Sequence, residues 1–416
     1  MNGLLIWLIL AVLFYAGYLF GFRRGIGRTG KQLQPEKDEA APTTTPEMLS
    51  DFKAKLSPLF TIFGYKTSGR VVMFEGEPVG SPEDLSSQLR RVFAGESVTP
   101  LILEGEDNQI RVMLLPKEAA EKAVEKPKWW LHGLLLVLTF LTTTWAGALH
   151  AGVNLLQQPN LFAVGLPYSI GLLLILGAHE LGHYFTARRH GINVTPPYFI
   201  PVPFALGTFG AFIRINSLTP NQRSLFDVAV AGPLAGLVFA IPALLIGLRL
   251  SSIIPRGSAF PHEGVDIASS VLLAFLAKVS LGASVAEGHR LLLNPLAFAG
   301  WLGLMITALN LLPIGQLDGG HMAHGLFGEK KAHTLSVLAL VGLFLLALFV
   351  WPGLLMWAII VFFIAGTWDT PAVDDVTPID FRRKLVGYFA FLLLLLILAP
   401  VPHTLYHEFG LHGPYL

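Results

Sequence analysis

Gly171-Leu172-Leu173-Leu174-Ile175-Leu176-Gly177-Ala178-His179-Glu180-Leu181-Gly182-His183 is the stretch that decides how this chain is read. An apolar run of membrane-crossing character leads directly into three ionisable side chains. On a helix, His179 and His183 fall one turn apart on one face, with Glu180 beside them. That arrangement suits a Zn²⁺ ion and a base that deprotonates its water. Ionisable groups at membrane depth are costly, so their presence points to function. A hydrolytic metal site in that setting implies peptide-bond cleavage where water is scarce.

Working outward, the whole chain supports a membrane reading. Its 416 residues are 53% hydrophobic and only 14% charged, with a mean hydropathy of +0.59. Soluble domains carry about 25% charged residues. The net charge is +1, with no basic stripe suited to nucleic acid. Cysteine is absent, which removes disulfides, thiolate zinc sites and cysteine nucleophiles.

The expected fold is an all-α polytopic membrane protein of about eight transmembrane helices, with a re-entrant β-hairpin near the active site and a small soluble α/β N-terminal domain. Residues 1–22 read as a first span, followed by Arg23, Arg24, Arg28 and Lys31. A cleaved leader carries its charges before its apolar core, so this span is expected to be retained. Residues 23–50 read as a linker rich in Pro, Thr, Ala and Glu. Residues 51–125 read as the soluble domain. Its strands lie at Val71–Phe74, Pro100–Leu103 and Ile110–Leu114, and a helix over Leu85–Phe93 is capped by Ser81. Residues 129–401 form the membrane domain, with spans at Trp129–His150, Leu161–Ala187, Leu225–Leu248, Leu291–Leu312, His333–Val350, Gly353–Trp368 and Leu385–Val401. Ile267–Leu281, which contains Lys278, is too short to span and reads as re-entrant or interfacial. Residues 402–416 are a tail. Arg23/Arg24, Lys126/Lys128, Arg188/Arg189, Lys330/Lys331 and Arg382/Arg383/Lys384 fall on one side of this topology. The positive-inside rule makes that side cytoplasmic and brings the histidines toward it.

Two histidines leave a zinc site one protein ligand short. Asp318 is the best candidate, in Asn310-Leu311-Leu312-Pro313-Ile314-Gly315-Gln316-Leu317-Asp318-Gly319-Gly320. Pro313 ends a helix, and freed backbone inside a membrane is tolerated only beside protein or water. Asn310, about two turns earlier, is a candidate catalytic group that holds substrate or stabilises an oxyanion. A third segment, Thr195-Pro196-Pro197-Tyr198-Phe199-Ile200-Pro201-Val202-Pro203-Phe204, is too rich in proline for a helix. It is followed by Gly207-Thr208-Phe209-Gly210 as a turn and by Ala211–Ile215 as a second extended arm. The resulting hairpin offers an edge on which an unwound substrate adds a strand, with Gly207, Thr208, Phe209 and Gly210 as substrate-binding residues.

These motifs together resemble the site-2 proteases, zinc metalloproteases of the intramembrane class. The segments that carry the resemblance are His179–His183, Gly207–Phe212, Ala231-Gly232-Pro233-Leu234-Ala235-Gly236, Ala299-Gly300-Trp301 and Asn310–Gly320. They are most similar to the branch found in cyanobacteria and chloroplasts. The resemblance implies zinc held by His179, His183 and Asp318, Glu180 as the base, and regulated cleavage of single-span transmembrane substrates. A plant precursor would open with a Ser/Arg-rich transit peptide. The apolar start points instead to a bacterial, cyanobacterial-type cytoplasmic or thylakoid membrane, with the active site near the cytoplasmic side.

Rival readings are an inactive protease-like chaperone or scaffold and a metal-ion transporter. The first would lack a ligand or the base. The second would carry a line of polar groups across the membrane, often in repeated halves. Gly232, Pro233 and Gly236 read as helix-packing positions. His321 reads as a loop histidine, and Arg223 and Asp227 as an ion pair. The tail residues His403, His407, Glu408 and His412 have helical spacing for a second metal site. The oligomeric state is not legible.

Overall fold

The computed structural model describes residues 44–105, 109–120, 127–204, 206–255, 270–282, 289–349 and 354–401. The expected first span and the tail histidines lie outside them. The chain divides into two compact units. One holds the chain up to Ala120 together with Trp368–Thr377; the other holds Glu121–Thr367 and Pro378–Leu416.

The first unit runs α1 (Pro46–Leu56), β1 (Phe60–Ser68), β2 (Val71–Pro78), α2 (Pro82–Val92), β3 (Val98–Glu104) and β4 (Ile110–Pro116). The strands form an antiparallel sheet in the order β1-β2-β4-β3. Ser81 caps α2 as its sequence indicated, accepting from the Asp84 backbone N–H at 3.1 Å. Leu85 and Leu89 of α2, with Phe52 and Leu56 of α1, bury against Phe60, Phe74, Val112 and Leu114 of the sheet. Helix α1 and strand β1 were not read from sequence. Helix α1 begins inside the stretch expected to be linker, with Thr45 as N-cap and Pro46 in its first turn. Strand β1 turns tightly into β2 at Gly69, whose φ of +57° suits a two-residue hairpin.

A distant piece of chain completes this sheet. The Ile102 N–H donates to the Val373 carbonyl at 2.8 Å, and the Asp375 N–H donates to the Ile102 carbonyl at 2.9 Å. Val376 packs on the apolar core beside it. Asp374 closes the turn that follows, accepting from the Thr377 backbone at 3.1 Å and the Thr377 hydroxyl at 2.9 Å. Residues 368–377 are thus a strap that lies along the outer edge of β3.

The second unit contains α3 (Trp129–His150), α4 (Leu166–Arg189), β5 (Tyr198–Pro201), β6 (Thr208–Phe212), α5 (Gln222–Arg249), β7 (Ser252–Pro255), α6 (Val271–Leu281), β8 (His289–Leu292), α7 (Pro295–Leu311), α8 (Asp318–Phe327), α9 (Glu329–Phe349), α10 (Leu354–Ile364) and α11 (Phe381–Leu398). Among the described residues, four helices are long and apolar enough to cross a membrane: Trp129–His150, Pro159–Arg189 including a lead-in 3-10 turn, Gln222–Arg249 and Glu329–Phe349. The expected eight spans are therefore not confirmed among the described residues. Helix α7 has 17 residues because Pro295 opens it and the chain leaves helical geometry at Leu312. Helix α10 has 11 residues. Helix α11 has 18, and Arg382, Arg383 and Lys384 occupy its first turn. Helix α6, with 11 residues, is short as expected.

Small residues bring α4, α5 and α7 together. A side chain at Gly300 would strike the Leu244 backbone, one at Gly247 would strike Ala297, and one at Gly303 would meet Ile175. Lipid is as apolar as leucine, so close backbone approach is what holds such helices to one another. At the membrane-domain end nearest Arg189, Arg383 forks onto Asp227, with Nε–Oδ1 at 2.7 Å and Nη2–Oδ2 at 2.6 Å. Asp227 Oδ2 also lies 3.0 Å from His190 Nε2. The expected Arg223–Asp227 pair is not formed; the Arg223 Nε–H donates to the Pro378 carbonyl instead.

Candidate metal centre

His179 and His183 project from one face of α4, their ring centroids 4.7 Å apart. Both are buried. Asp318 arrives from a distant part of the sequence as the first residue of α8. Its Oδ2 lies 3.3 Å from His179 Nε2 and 3.3 Å from His183 Nε2. The two Nε2 atoms are 3.0 Å apart. Among the described residues, His179, His183 and Asp318 are the group of side chains whose ligand atoms converge closely enough for a metal ion.

The donor chemistry fits zinc. The Val228 carbonyl sits 2.7 Å from His183 Nδ1. A carbonyl can only accept, so Nδ1 carries the proton and Nε2 presents a lone pair. That lone pair faces a second imidazole nitrogen and a carboxylate oxygen, an arrangement that requires a shared cation or proton between them. Tetrahedral zinc with bonds of about 2.0–2.1 Å has ligand atoms about 3.3–3.4 Å apart. The observed triangle is close to one face of that tetrahedron.

Each donor is set by local sequence. Gly232 of α5 lies against the His183 ring, and a Cβ there would collide with its Nε2, Cε1 and Cδ2 atoms. Gly236, one turn on, would bring a Cβ only to ordinary contact with His179, at 3.4 Å from its Cβ. These positions were expected merely to pack helices; Gly232 in fact makes room for a donor ring. The ligand loop before Asp318 turns at Gly315, with φ of +45°. Ser336 Oγ accepts from the Gly315 N–H at 3.1 Å, and the Ala365 carbonyl from the Gln316 N–H at 3.1 Å. Gly319 and Gly320 press against the carbonyls of Leu311 and Gly315, where a side chain has no room. His321 lies within α8 rather than in a loop.

Glu180 is buried beside the triangle, within electrostatic range of His179, His183 and Asp318. The Ile213 backbone lies close to its carboxylate. Asn310, near the end of α7, places its side-chain amide 3.3 Å from His179 Nε2. All five candidate residues of the centre are therefore brought together.

The hairpin lies alongside. Strands β5 and β6 pair antiparallel, Tyr198 opposite Phe212 and Pro201 opposite Thr208. The ladder continues at Val194 and Ile215. The turn differs from the sequence expectation. The strands stay bonded as far as Val202 and Gly207, so the chain reverses before Gly207, which takes a φ of +78°. Gly207 therefore closes the turn, and Thr208, Phe209 and Gly210 begin the second strand. Phe209 is exposed, whereas Thr208 is buried and donates to the Ile200 carbonyl at 2.9 Å.

Residues 167–349 match the family described as Peptidase family M50. The chain is similar to a probable zinc metalloprotease EGY2, chloroplastic, of Oryza sativa subsp. indica, at 28% identity over 387 residues, covering 90% of this chain and 69% of the relative. It is similar to the Arabidopsis thaliana protein of the same name at 30% identity over 338 residues, covering 79% and 59% respectively. It is also similar to the probable zinc metalloprotease EGY1, chloroplastic, of Arabidopsis thaliana, at 28% over 400 residues, covering 84% and 72%. No solved structure matches. These relatives carry chloroplast names, so the expectation of a bacterial source, drawn from the apolar start, is not supported.

Proposed function

Because the chain belongs to peptidase family M50, the site-2 proteases, and is a zinc metalloendopeptidase of that kind, we propose that it cleaves transmembrane segments of single-span proteins within the bilayer, as a step of regulated intramembrane proteolysis. The observation that carries this reading is the 3.0–3.3 Å triangle of His179, His183 and Asp318 with Glu180 beside it. His179 and His183 hold the metal through Nε2, and Asp318 through Oδ2. Zinc bound there supplies a Lewis acid that lowers the pKa of a coordinated water. Glu180 takes the proton of the attacking water and later delivers it to the leaving amine. The Asn310 amide donates to the carbonyl oxygen of the scissile bond as negative charge develops there.

A transmembrane helix hides its peptide bonds inside its own hydrogen-bond ladder, so it must open before it is cut. The β5–β6 hairpin supports this step, since a two-stranded ribbon keeps an edge on which an extended segment can pair. Thr208 to Phe212 are the positions that face such a segment. The chloroplast location of the relatives is carried over to this chain, with the centre toward the face that bears Arg188, Arg189, Lys330 and Lys331. The intact ligand set and base argue against an inactive scaffold. The single compact cluster argues against a transport pathway.

Purified full-length protein in lipid vesicles with a model single-span substrate tests the proposal. Cleavage should occur, stop with a chelator and return with zinc. Glu180→Gln should retain zinc and lose cleavage by about 10²–10⁴-fold. Cleavage at the wild-type rate in that variant would remove Glu180 as the base.

A further inference from the structure

Substrate pairing on a hairpin requires that the hairpin be held still, and its attachments to the membrane helices are specific. His132 of α3 donates from Nδ1 to the Pro197 carbonyl at 3.0 Å, and its ring lies tilted against Tyr198, with centroids 4.1 Å apart. Thr142, farther along the same helix, donates to the Gly207 carbonyl at 2.7 Å. Tyr168, in the first turn of α4, donates to the Leu206 carbonyl at 2.9 Å. His132 and Thr142 are separated by about 15 Å of helix, the length of an extended arm of about five residues. Strand β5 packs along α3 between these two points.

Two details make the attachments more than the routine satisfaction of polar backbone. The Gly207 carbonyl already accepts from the Val202 N–H at 3.1 Å, so the Thr142 bond is a second one to the same oxygen. The Thr142 hydroxyl has alternatives on its own helix, Leu138 and Thr139 carbonyls at 3.0 and 3.1 Å, yet lies closest to the hairpin. Tyr168 is fully buried, and its ring is seated where Gly147 leaves no side chain in the way. At the far end of the hairpin, the Ile213 backbone lies close to Glu180. The ribbon is thus tied at its entry and at its turn, with its outgoing end beside the general base.

We propose that Tyr168, Thr142 and His132 are positioning residues for substrate: they hold the hairpin by its own carbonyl oxygens with β5 against α3, so that β6 is the strand offered to the unwound segment, in register with Glu180. This rests on the proteolytic reading above, and the experiment separates the two. The chain has no cysteine, so Phe209→Cys and Leu338→Cys, both at exposed positions, accept spin labels with no background. In the labelled protein the distance distribution should be narrow. Adding Tyr168→Phe and Thr142→Val, which remove hydroxyls and keep volume, should broaden it.

In unlabelled protein the same two substitutions should raise KM for the transmembrane substrate about tenfold, the combined effect of two neutral hydrogen bonds. The change in kcat should be under about threefold, and zinc content should be unchanged. Thr142→Ser, which keeps the hydroxyl, should retain the wild-type KM. Where the double variant loses zinc, Thr142→Val alone is scored, since it leaves the Tyr168 packing in place. An unchanged distance distribution, or an unchanged KM, overturns the proposal. A wild-type protein with a narrow distribution that cleaves no substrate overturns the proteolytic reading, while the distance measurement still decides whether the hydroxyls hold the hairpin.

Discussion

Gly232→Ala is the most direct test of how the metal centre is built. The added methyl carbon would overlap three atoms of the His183 ring, whereas apolar carbons rest about 3.5–4.0 Å apart. Relief requires a ring shift of about 1 Å or more. The ring is not free to make it. Its Nδ1–H is bonded at 2.7 Å to the Val228 carbonyl, one turn earlier on the same helix as Gly232. The helices cannot separate cheaply, because Gly182 of α4 is itself packed against the Ala231 carbonyl. The substitution therefore costs the Val228 bond, the His183 donor position, or both. Loss of an outer-shell partner alone lowers metal affinity by about 10–100-fold, and displacing a ligand does more. Overpacking adds about 1–3 kcal/mol of destabilisation. Gly236→Ala is the matched control, since its new methyl would only touch His179. Zinc affinity from competition with a chromogenic chelator, on protein purified in detergent, reads the difference. Gly232→Ala should bind at least tenfold more weakly, and Gly236→Ala within about threefold of wild type. Wild-type affinity in Gly232→Ala would refute the assignment of His183 Nε2 to the metal.

Other expectations follow from the same geometry. Asp318→Asn keeps the shape of the side chain but removes its charge, so elemental analysis should find substoichiometric zinc; full occupancy would exclude Asp318 as a ligand. Asp227→Ala leaves Arg383 and His190 without their shared acceptor, and loss of bonds to charged groups should lower stability by about 1.5–3 kcal/mol, read as a fall in thermal midpoint. Because Asp227 adjoins Val228, zinc affinity should fall as well; an unchanged midpoint and affinity together would show that this network does not brace the centre.

The parts of the site that were legible in sequence are those with local geometry. His179, Glu180 and His183 share one helical turn, so spacing alone places them together. Asp318 was legible because a proline break and paired glycines advertise an irregular segment inside an apolar context. Long apolar helices were equally plain, while helices shortened by Pro295 or opened by Arg382–Lys384 blurred the count. What stayed hidden depends on contacts between distant segments. Nothing in the Ala231–Gly236 run distinguishes Gly232, against a metal-binding ring, from Gly236, which only touches one. The hairpin turn was displaced because Gly207–Gly210 looked like the obvious reversal, whereas the strands pair as far as Val202 and Gly207 and the chain has already reversed by that glycine. Helix α1 was obscured by its proline- and threonine-rich approach, although Thr45-Pro46-Glu47 is a helix-start signal. The strap at 368–377 has no local mark, because its partner strand lies in another region of the sequence.

That strap imposes an order on biosynthesis. Ribosomes add about 5–20 residues per second, and roughly 270 residues separate Ile102 from Val373, so β3 emerges something like 14 to 54 s before the segment that lines it. For that interval a newly made sheet carries a bare flank of amide and carbonyl groups, the kind of template on which stray chains aggregate. Of the two units, the one that leaves the ribosome earlier thus waits on a late segment to be finished, and a truncation before residue 373 would leave its flank unsealed for good.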